Sequence, residues 1–360
     1  MYTAAAVALH GSMTISVAER AELRSAVRDL LSTETDASLW PLLAAQGVAG
    51  LLVDTEYGGV GLGARELEAV AEETGAALLP APFLGSAVLT AALIAAAGTD
   101  EDRRRLLPGL ADGTHIGTVA LTGAAGTWAA DGVAVRADGN TLHGTAHYVL
   151  HGQVADVLLV AARIGHDIGV FEVAPDAPHL QRTAATVFDP SVPLSVFTFD
   201  GVPARRLGAC SWEAVQQALD LAVIALAGEQ AGGARRIFDI TVEYLQTRIQ
   251  FGRPIGSFQA LKHMAADLLL EVESATSAAQ HAATQFDTDP ENAGAAIALA
   301  GFTCAQAFHS TSMQAIQMHG GIGFTWEHPA HRFLRRARTG MRLFGSPAQF
   351  RERYLVAKGA

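Results

Sequence analysis

The sequence predicts an α+β protein in which a block of short strands stands between two helical blocks. Three observations carry that prediction. Apolar residues recur at helical spacing up to about residue 114. From His115 to about Leu207 the apolar runs shorten, fill with Val, Thr and Phe, and are punctuated by Gly, Asp and Pro. Beyond Cys210 helical spacing returns over long stretches. Strands grouped together, rather than alternating with helices, argue against a parallel βαβ sheet. The chain therefore divides into an N-terminal helical domain over 1–114, a middle antiparallel β-domain over 115–208 and a C-terminal four-helix bundle over 209–360.

Each element has its own signal. Ser16 and Glu19 stand at capping-box spacing, so a helix opens there, Met13 reads as the initiator and the first twelve residues as a loose tail. Helices are expected at Glu19–Leu31, Ser38–Gln46, Ala64–Leu79, Leu84–Ala97 and Asp100–Leu110, separated by Gly, Pro and capping residues. Short strands follow at Ile116–Leu121, Gly132–Arg136, Asp156–Ala162, Ile168–Val173 and Leu194–Phe199. The last block holds long helices at Trp212–Thr247, Gln259–Phe286, Pro290–Met318 and Glu327–Arg338.

Composition excludes several classes. A chain of 360 residues, 50% apolar, can bury a large core. Its net charge of −11 argues against a nucleic-acid partner, which needs clustered Lys and Arg. Arg335, Arg336 and Arg338 form only a short run in a helical pattern and read as a solvated face or a local phosphate contact. Cys210 and Cys304 make neither a disulfide framework nor a zinc pattern, and read as reduced thiols of a cytoplasmic protein. No apolar run has transmembrane length, so no membrane is expected, and the start lacks the basic region of a signal peptide. Gly59–Ala64 matches GxGxxA, but the helices downstream deny it a βαβ unit. It reads as a flexible turn opening the helix at Ala64. The 13 histidines, His147, His151, His328 and His331 among them, lack HExxH or Cys/His spacing, so no metal is expected. GxSxG is also missing.

Two motifs in the last block are specific: Arg248-Ile249-Gln250-Phe251-Gly252-Arg253-Pro254-Ile255-Gly256-Ser257-Phe258-Gln259, and Gln314-Ala315-Ile316-Gln317-Met318-His319-Gly320-Gly321-Ile322-Gly323-Phe324. With the stretches Gly47–Leu51 and Tyr57–Leu62, in this order, the chain resembles the acyl-CoA dehydrogenase family over nearly its whole length. The resemblance implies FAD as cofactor, an acyl-CoA substrate and an electron-transfer flavoprotein as acceptor. It also implies a dimer of dimers, in which the Arg/Phe segment of one subunit and the Gln/Gly-Gly segment of a neighbour clasp one FAD. Arg248, Gln250, Phe251, Phe258 and Gln259 then lie on one side, and Gln317, Gly320 and Gly321 on the other. The residue chemistry agrees. A helix-end Arg offers forked, permanent charge to a pyrophosphate, and paired glycines let backbone amides approach an anion. Singly, Arg248 would be an ordinary helix-end charge and the glycine pair an ordinary turn; two motifs about seventy residues apart in family order carry the weight.

Three departures from the family pattern matter. Where the resemblance places an aromatic and a Thr against the flavin ring, this chain has Tyr148-Val149-Leu150, which keeps the aromatic and lacks the hydroxyl. The Thr-Glu-Pro-Gly stretch is reduced to Thr122-Gly123-Ala124-Ala125. The catalytic carboxylate, which must lie within hydrogen-bond reach of the proton it removes, is missing from both seats the family uses, here Phe344 and Ala222. The nearest acid is Glu229, seven residues on from Ala222 and on almost the same helix face, displaced by roughly 10 Å. Glu229 is the candidate base; its ordinary reading is a buried partner for Arg235 or Arg236.

Three functions follow. The leading one is an enzyme introducing an α,β double bond into an acyl-CoA thioester. The second is a non-catalytic, FAD-sharing subunit of an α2β2 enzyme, like those of actinobacterial steroid and fatty-acid pathways, whose homologous partner carries the Glu. The third is a flavin oxidase or monooxygenase on the same scaffold. Chain length, branching or a steroid skeleton in the acyl group leaves no mark on the sequence.

Overall fold

Ser16 and Glu19 close the expected capping box. Glu19 N donates to Ser16 Oγ at 3.2 Å and Ser16 N to Glu19 Oε2 at 2.8 Å. The computed structural model describes residues 14–33, 39–208 and 211–359; Met13, Ser38 and Cys210 lie outside them. The helices before the strands are α1 (Val17–Thr33), α2 (Leu39–Ala45), α3 (Ala64–Ala76), α4 (Ala91–Ala97) and α5 (Asp100–Ala111). The strands are β1 (Gly117–Ala120), β2 (Arg136–Asp138), β3 (Thr141–Leu150), β4 (Val157–Ile164), β5 (Asp167–Val173), β6 (Leu180–Ala184), β7 (Leu194–Pro203) and β8 (Arg205–Arg206). Then come α6 (Trp212–Thr247), a hairpin of β9 (Ile249–Gln250) and β10 (Arg253–Pro254), α7 (Gln259–Thr288), α8 (Gly294–His319), α9 (Ala330–Gly340) and α10 (Pro347–Ala357). The order helices, strands, helices stands as expected.

The described residues group into two compact units, one within 1–22, 33–67 and 80–222, the other within 23–32, 68–79 and 223–360. In the first, eight strands run in the order β6-β7-β3-β2-β4-β5-β8, with β1 also on β4. The strand expected at Gly132–Arg136 is instead a 3-10 turn over Ala130–Gly132 followed by β2. The sheet is not wholly antiparallel, because β1 and β2 both lie parallel to β4. Leu142, Val160, Phe171 and Phe197 fill its core. The expected helix at Leu84–Ala97 begins as a π-helix over Phe83–Thr90, all of it buried. Ser86 Oγ there accepts from Gly117 N at 2.9 Å, which fixes the segment on β1. The turn at Gly59 is packed rather than flexible: a Cβ there would overlap the carbonyl of Val53.

In the second unit, the C-terminal part of α3 crosses α6 almost backbone to backbone. A Cβ on Gly228 would stand 2.8 Å from Glu68 O, and Cβ atoms on Gly232 and Gly75 would overlap the carbonyls of Glu72 and Glu229. Glycine is required here for close approach rather than for a turn. Arg24 meets buried Glu72 at 2.8 Å, and Arg28 meets Glu73 at 2.7 Å. The C-terminal block holds a fifth helix, α10, opened by a Ser346–Gln349 capping box that the apolar spacing did not reveal. No helix among the described residues is long and apolar enough to cross a membrane.

Candidate functional site

The Arg248 segment is a tight hairpin at the end of α6. Arg248 is exposed, its N–H donating to Tyr244 O and its carbonyl accepting from Ile255 N, each at 2.9 Å. Gln250 pairs with Arg253 and Ile249 with Pro254. The two linking residues, Phe251 and Gly252, have φ of 53° and 77°. Both central residues at positive φ is the type I′ geometry that matches strand twist. A phenylalanine held there is strained, and the ring it presents is 91% exposed. Phe258, half-buried at the start of α7, lies edge-on to Phe251 at 6.0 Å, with the Arg253 guanidinium 4.1 Å from its ring. Gln259, the first residue of α7, is exposed, and the Gln250 amide donates to the neighbouring Ile249 carbonyl at 2.9 Å.

The second segment closes α8. Gln317 is exposed in its last turn, and Gly320 follows at φ 63° and ψ −144°, a conformation glycine alone adopts readily. A Cβ built on Gly320 or Gly321 would meet nothing within 4 Å. Open space therefore lies beside both residues, a shallow cradle in which the Gly320 N–H is itself engaged, donating to Gln317 O and Ile316 O. The forked cation, the displayed rings and the bare cradle all suit FAD.

Tyr148, in the first unit, sits at a bulge of β3 with φ 57°, where pairing with β7 shifts register between Ala146 and Val149. Its ring is 39% exposed and its hydroxyl donates to Ala124 O at 3.0 Å. Leu150 is buried and offers no hydroxyl.

The seats for a carboxylate look different. Ala222 and Phe344 are both buried, and Phe344 is held at φ 59°. Glu229 is 5% exposed, and its carboxylate accepts from Arg336 Nη1 at 2.8 Å. Arg336, 3% exposed, also donates to Leu78 O at 3.2 Å and Leu79 O at 2.9 Å. The expected partners were Arg235 or Arg236, but Arg235 pairs with Glu273. Reading Arg336 as a solvated charge is likewise corrected: its position in α9 faces the interior, and two backbone carbonyls and a carboxylate satisfy it. Cys304 is buried, donates to Ala275 O at 3.2 Å, and burial pushes its thiol up, leaving it unreactive.

Sequence reasoning missed Tyr244 and the His319 ring. His319 lay inside the quoted motif, yet its ring is buried, stacked on Tyr244 at 4.5 Å between centroids and tilted against His328 at 4.2 Å.

Residues 15–114 match the N-terminal domain of acyl-CoA dehydrogenases, and residues 212–353 match their C-terminal domain. The acyl-CoA dehydrogenase IpdE2 of Mycobacterium tuberculosis is 35% identical over 337 residues, covering 90% of this chain and 88% of that protein. The chain belongs to the acyl-CoA dehydrogenase family. It is a flavin-dependent oxidoreductase with FAD as cofactor. Among solved structures, the Tcur3481–Tcur3483 steroid ACAD (G363A variant) is 32% identical with a TM-score of 0.84, covering 95% of this chain and 98% of that one. The ChsE4–ChsE5 complex from Mycobacterium tuberculosis is 29% identical with a TM-score of 0.86, covering 96% and 98%.

Proposed function

We propose that this chain is one half of a hetero-oligomeric acyl-CoA dehydrogenase, which helps hold FAD and takes its catalytic carboxylate from a homologous partner chain. One observation carries the reading. Both seats for the base are apolar, and the nearby acid, Glu229, is committed to a buried guanidinium. A general base must reach the α-proton of the thioester with a free lone pair. A carboxylate bound to Arg336 two turns away from Ala222 is poorly placed to do so. The two-chain names of the Tcur3481–Tcur3483 and ChsE4–ChsE5 relatives support an assembly of this kind.

The chain's own residues then bind and orient. FAD, when bound, accepts the hydride leaving the β-carbon. Arg248 offers forked, permanent charge to the pyrophosphate. Phe251, Phe258, Gln250 and Gln259 flank that charge, and the Gln317–Gly321 turn leaves room for the cofactor without side-chain obstruction. Tyr148 is the aromatic on the strand side. The substrate is an acyl-CoA thioester, a steroid-type acyl chain being first to test given the Tcur3481–Tcur3483 relative. The electron acceptor proposed for the assembly is an electron-transfer flavoprotein.

The test is co-expression with a homologous chain bearing the Glu, followed by turnover of an acyl-CoA panel by each chain alone and by the pair. Turnover confined to the pair is expected. Full turnover by this chain alone, lost in Glu229→Gln, would overturn the partner reading and restore Glu229 as base. Peroxide formed in step with turnover would point to an oxidase.

A further inference from the structure

The ends of α6 and α8 meet through a stack that flavin binding leaves unassigned. His319 is the last residue of α8, immediately before the Gly320 kink, and is 3% exposed. Its Nδ1 lies 2.7 Å from Ala315 O. A carbonyl only accepts, so Nδ1 carries the hydrogen and Nε2 is the acceptor. That Nε2 is buried and has no hydrogen-bond partner among the described residues. The ring lies on Tyr244, with centroids 4.5 Å apart and planes 28° apart. Tyr244 O accepts from Arg248 N at 2.9 Å. An unbroken set of contacts thus joins Gly320, His319, Tyr244 and Arg248.

We infer that His319 is a positioning residue for FAD: it pins the Gly320 kink to the last turn of α6, so that the Arg248 and Gly320–Gly321 segments form one rigid body. The inference rests on reading those segments as the flavin-binding ones. Gly320, at positive φ with open space around it, has no side chain to restrain it. A cradle left free would lose affinity to the entropy of ordering it. If the two segments of one chain serve two different flavin sites, the stack also couples those sites.

Neutral imidazole is the form that fits. The groups facing it are Tyr244 from α6 and His328 from the turn before α9. Beyond His328 lie His331, whose Nδ1 is 2.9 Å from His328 O, and Trp326, with the Arg335 guanidinium 4.8 Å from its ring. Burial holds His319 below the usual imidazole range; burial, with His319 and His331 as neighbours, does the same for His328. Acid would place charge in this stack and loosen the cradle.

The test is FAD titration of the full chain, with its partner and stripped of flavin, at about pH 7.5 and about pH 5.5. Wild type is compared with H319A, H319N and R248A. H319A should weaken binding about tenfold or more. H319N keeps a donor for Ala315 O without the stacking ring, so it should be intermediate and show little of the acid weakening of wild type. H319A within twofold of wild type, or H319N with an undiminished pH dependence, overturns the inference. R248A separates the two ideas: unchanged binding in R248A sinks the flavin reading of both segments, whereas weakened R248A beside unchanged H319A sinks only the role of His319. Should H319A not fold, H319N and the pH profile decide.

Discussion

The segments proposed to bind flavin and the seats that lack a base have been treated in opposite ways. Arg248, Phe251, Gly320 and Gly321 are open, bent and partly strained, with groups displayed outward. Ala222, Phe344 and Glu229 are closed, apolar or ion-paired. Backbone strain persists where function over-determines it, and an ion pair as dry as Glu229–Arg336 removes a charge from chemistry. On the proposed reading, cofactor binding and proton abstraction are separable burdens on this scaffold, and this chain keeps the first.

The sharpest break of the comparison is Arg336→Ala. It leaves Glu229 buried without its guanidinium and two carbonyls without a donor. A loss of about 3–5 kcal/mol is expected, read as a lower urea midpoint. A loss below about 1 kcal/mol, the scale of exposed pairs, would mean that Glu229 is not held as described and would reopen its candidacy as base.

Arg248→Ala acts on the open side. Removing charged hydrogen bonds worth about 1.5–3 kcal/mol should raise the FAD dissociation constant about 10- to 100-fold, with little change in the melting of flavin-free protein. Equal flavin retention by the variant would remove the main cation from the site.

Acidification should affect both regions unequally. His309, His319 and His328 are held below the usual imidazole range by burial, with Arg338 adding to it at His309. The folded state therefore binds fewer protons than the unfolded one, and stability present above about pH 6.5 is lost as pH falls toward the depressed values. Glu72 runs the other way: burial raises it, so its contribution improves as pH falls. Denaturation midpoints between about pH 7.5 and 5.5 should drop, by less than in Arg336→Ala; a rise would show that the carboxyl dominates.

The smallest effect expected is on turnover by Glu229→Gln. In the two-chain assembly, kcat per bound FAD should stay within a few-fold, against the about 10²–10⁴-fold loss typical of removing a base.

Much of this was legible in sequence. The limits of α6, Trp212–Thr247, follow from its apolar spacing alone. The turns in the two proposed flavin segments were readable because their chemistry is local: Phe251-Gly252 at a hairpin, Gly320-Gly321 after a helix. What failed depends on distant partners. Arg336 read as solvated because nothing nearby in sequence announces Glu229, 107 residues away, or the carbonyls of Leu78 and Leu79. The strand expected at Gly132–Arg136 shares only Arg136 with β2, which is three residues long and exists through its partners β3 and β4, and the ten-residue β3 was not among the expected strands. His319 was visible as a motif letter, but its stack on Tyr244 was not.

The glycine crossing of α3 and α6 also dictates how the second unit should open. With Gly75, Gly228 and Gly232 packed against carbonyls, no side chain there can swing aside to admit solvent. Local fluctuation at that point requires the two helices to part as whole bodies. Amide hydrogens around Gly228 and Gly232 should therefore exchange with deuterium only through global unfolding, while those of the Phe251 hairpin exchange in the native state. The slowest clock in the protein would then tick at its smallest residues.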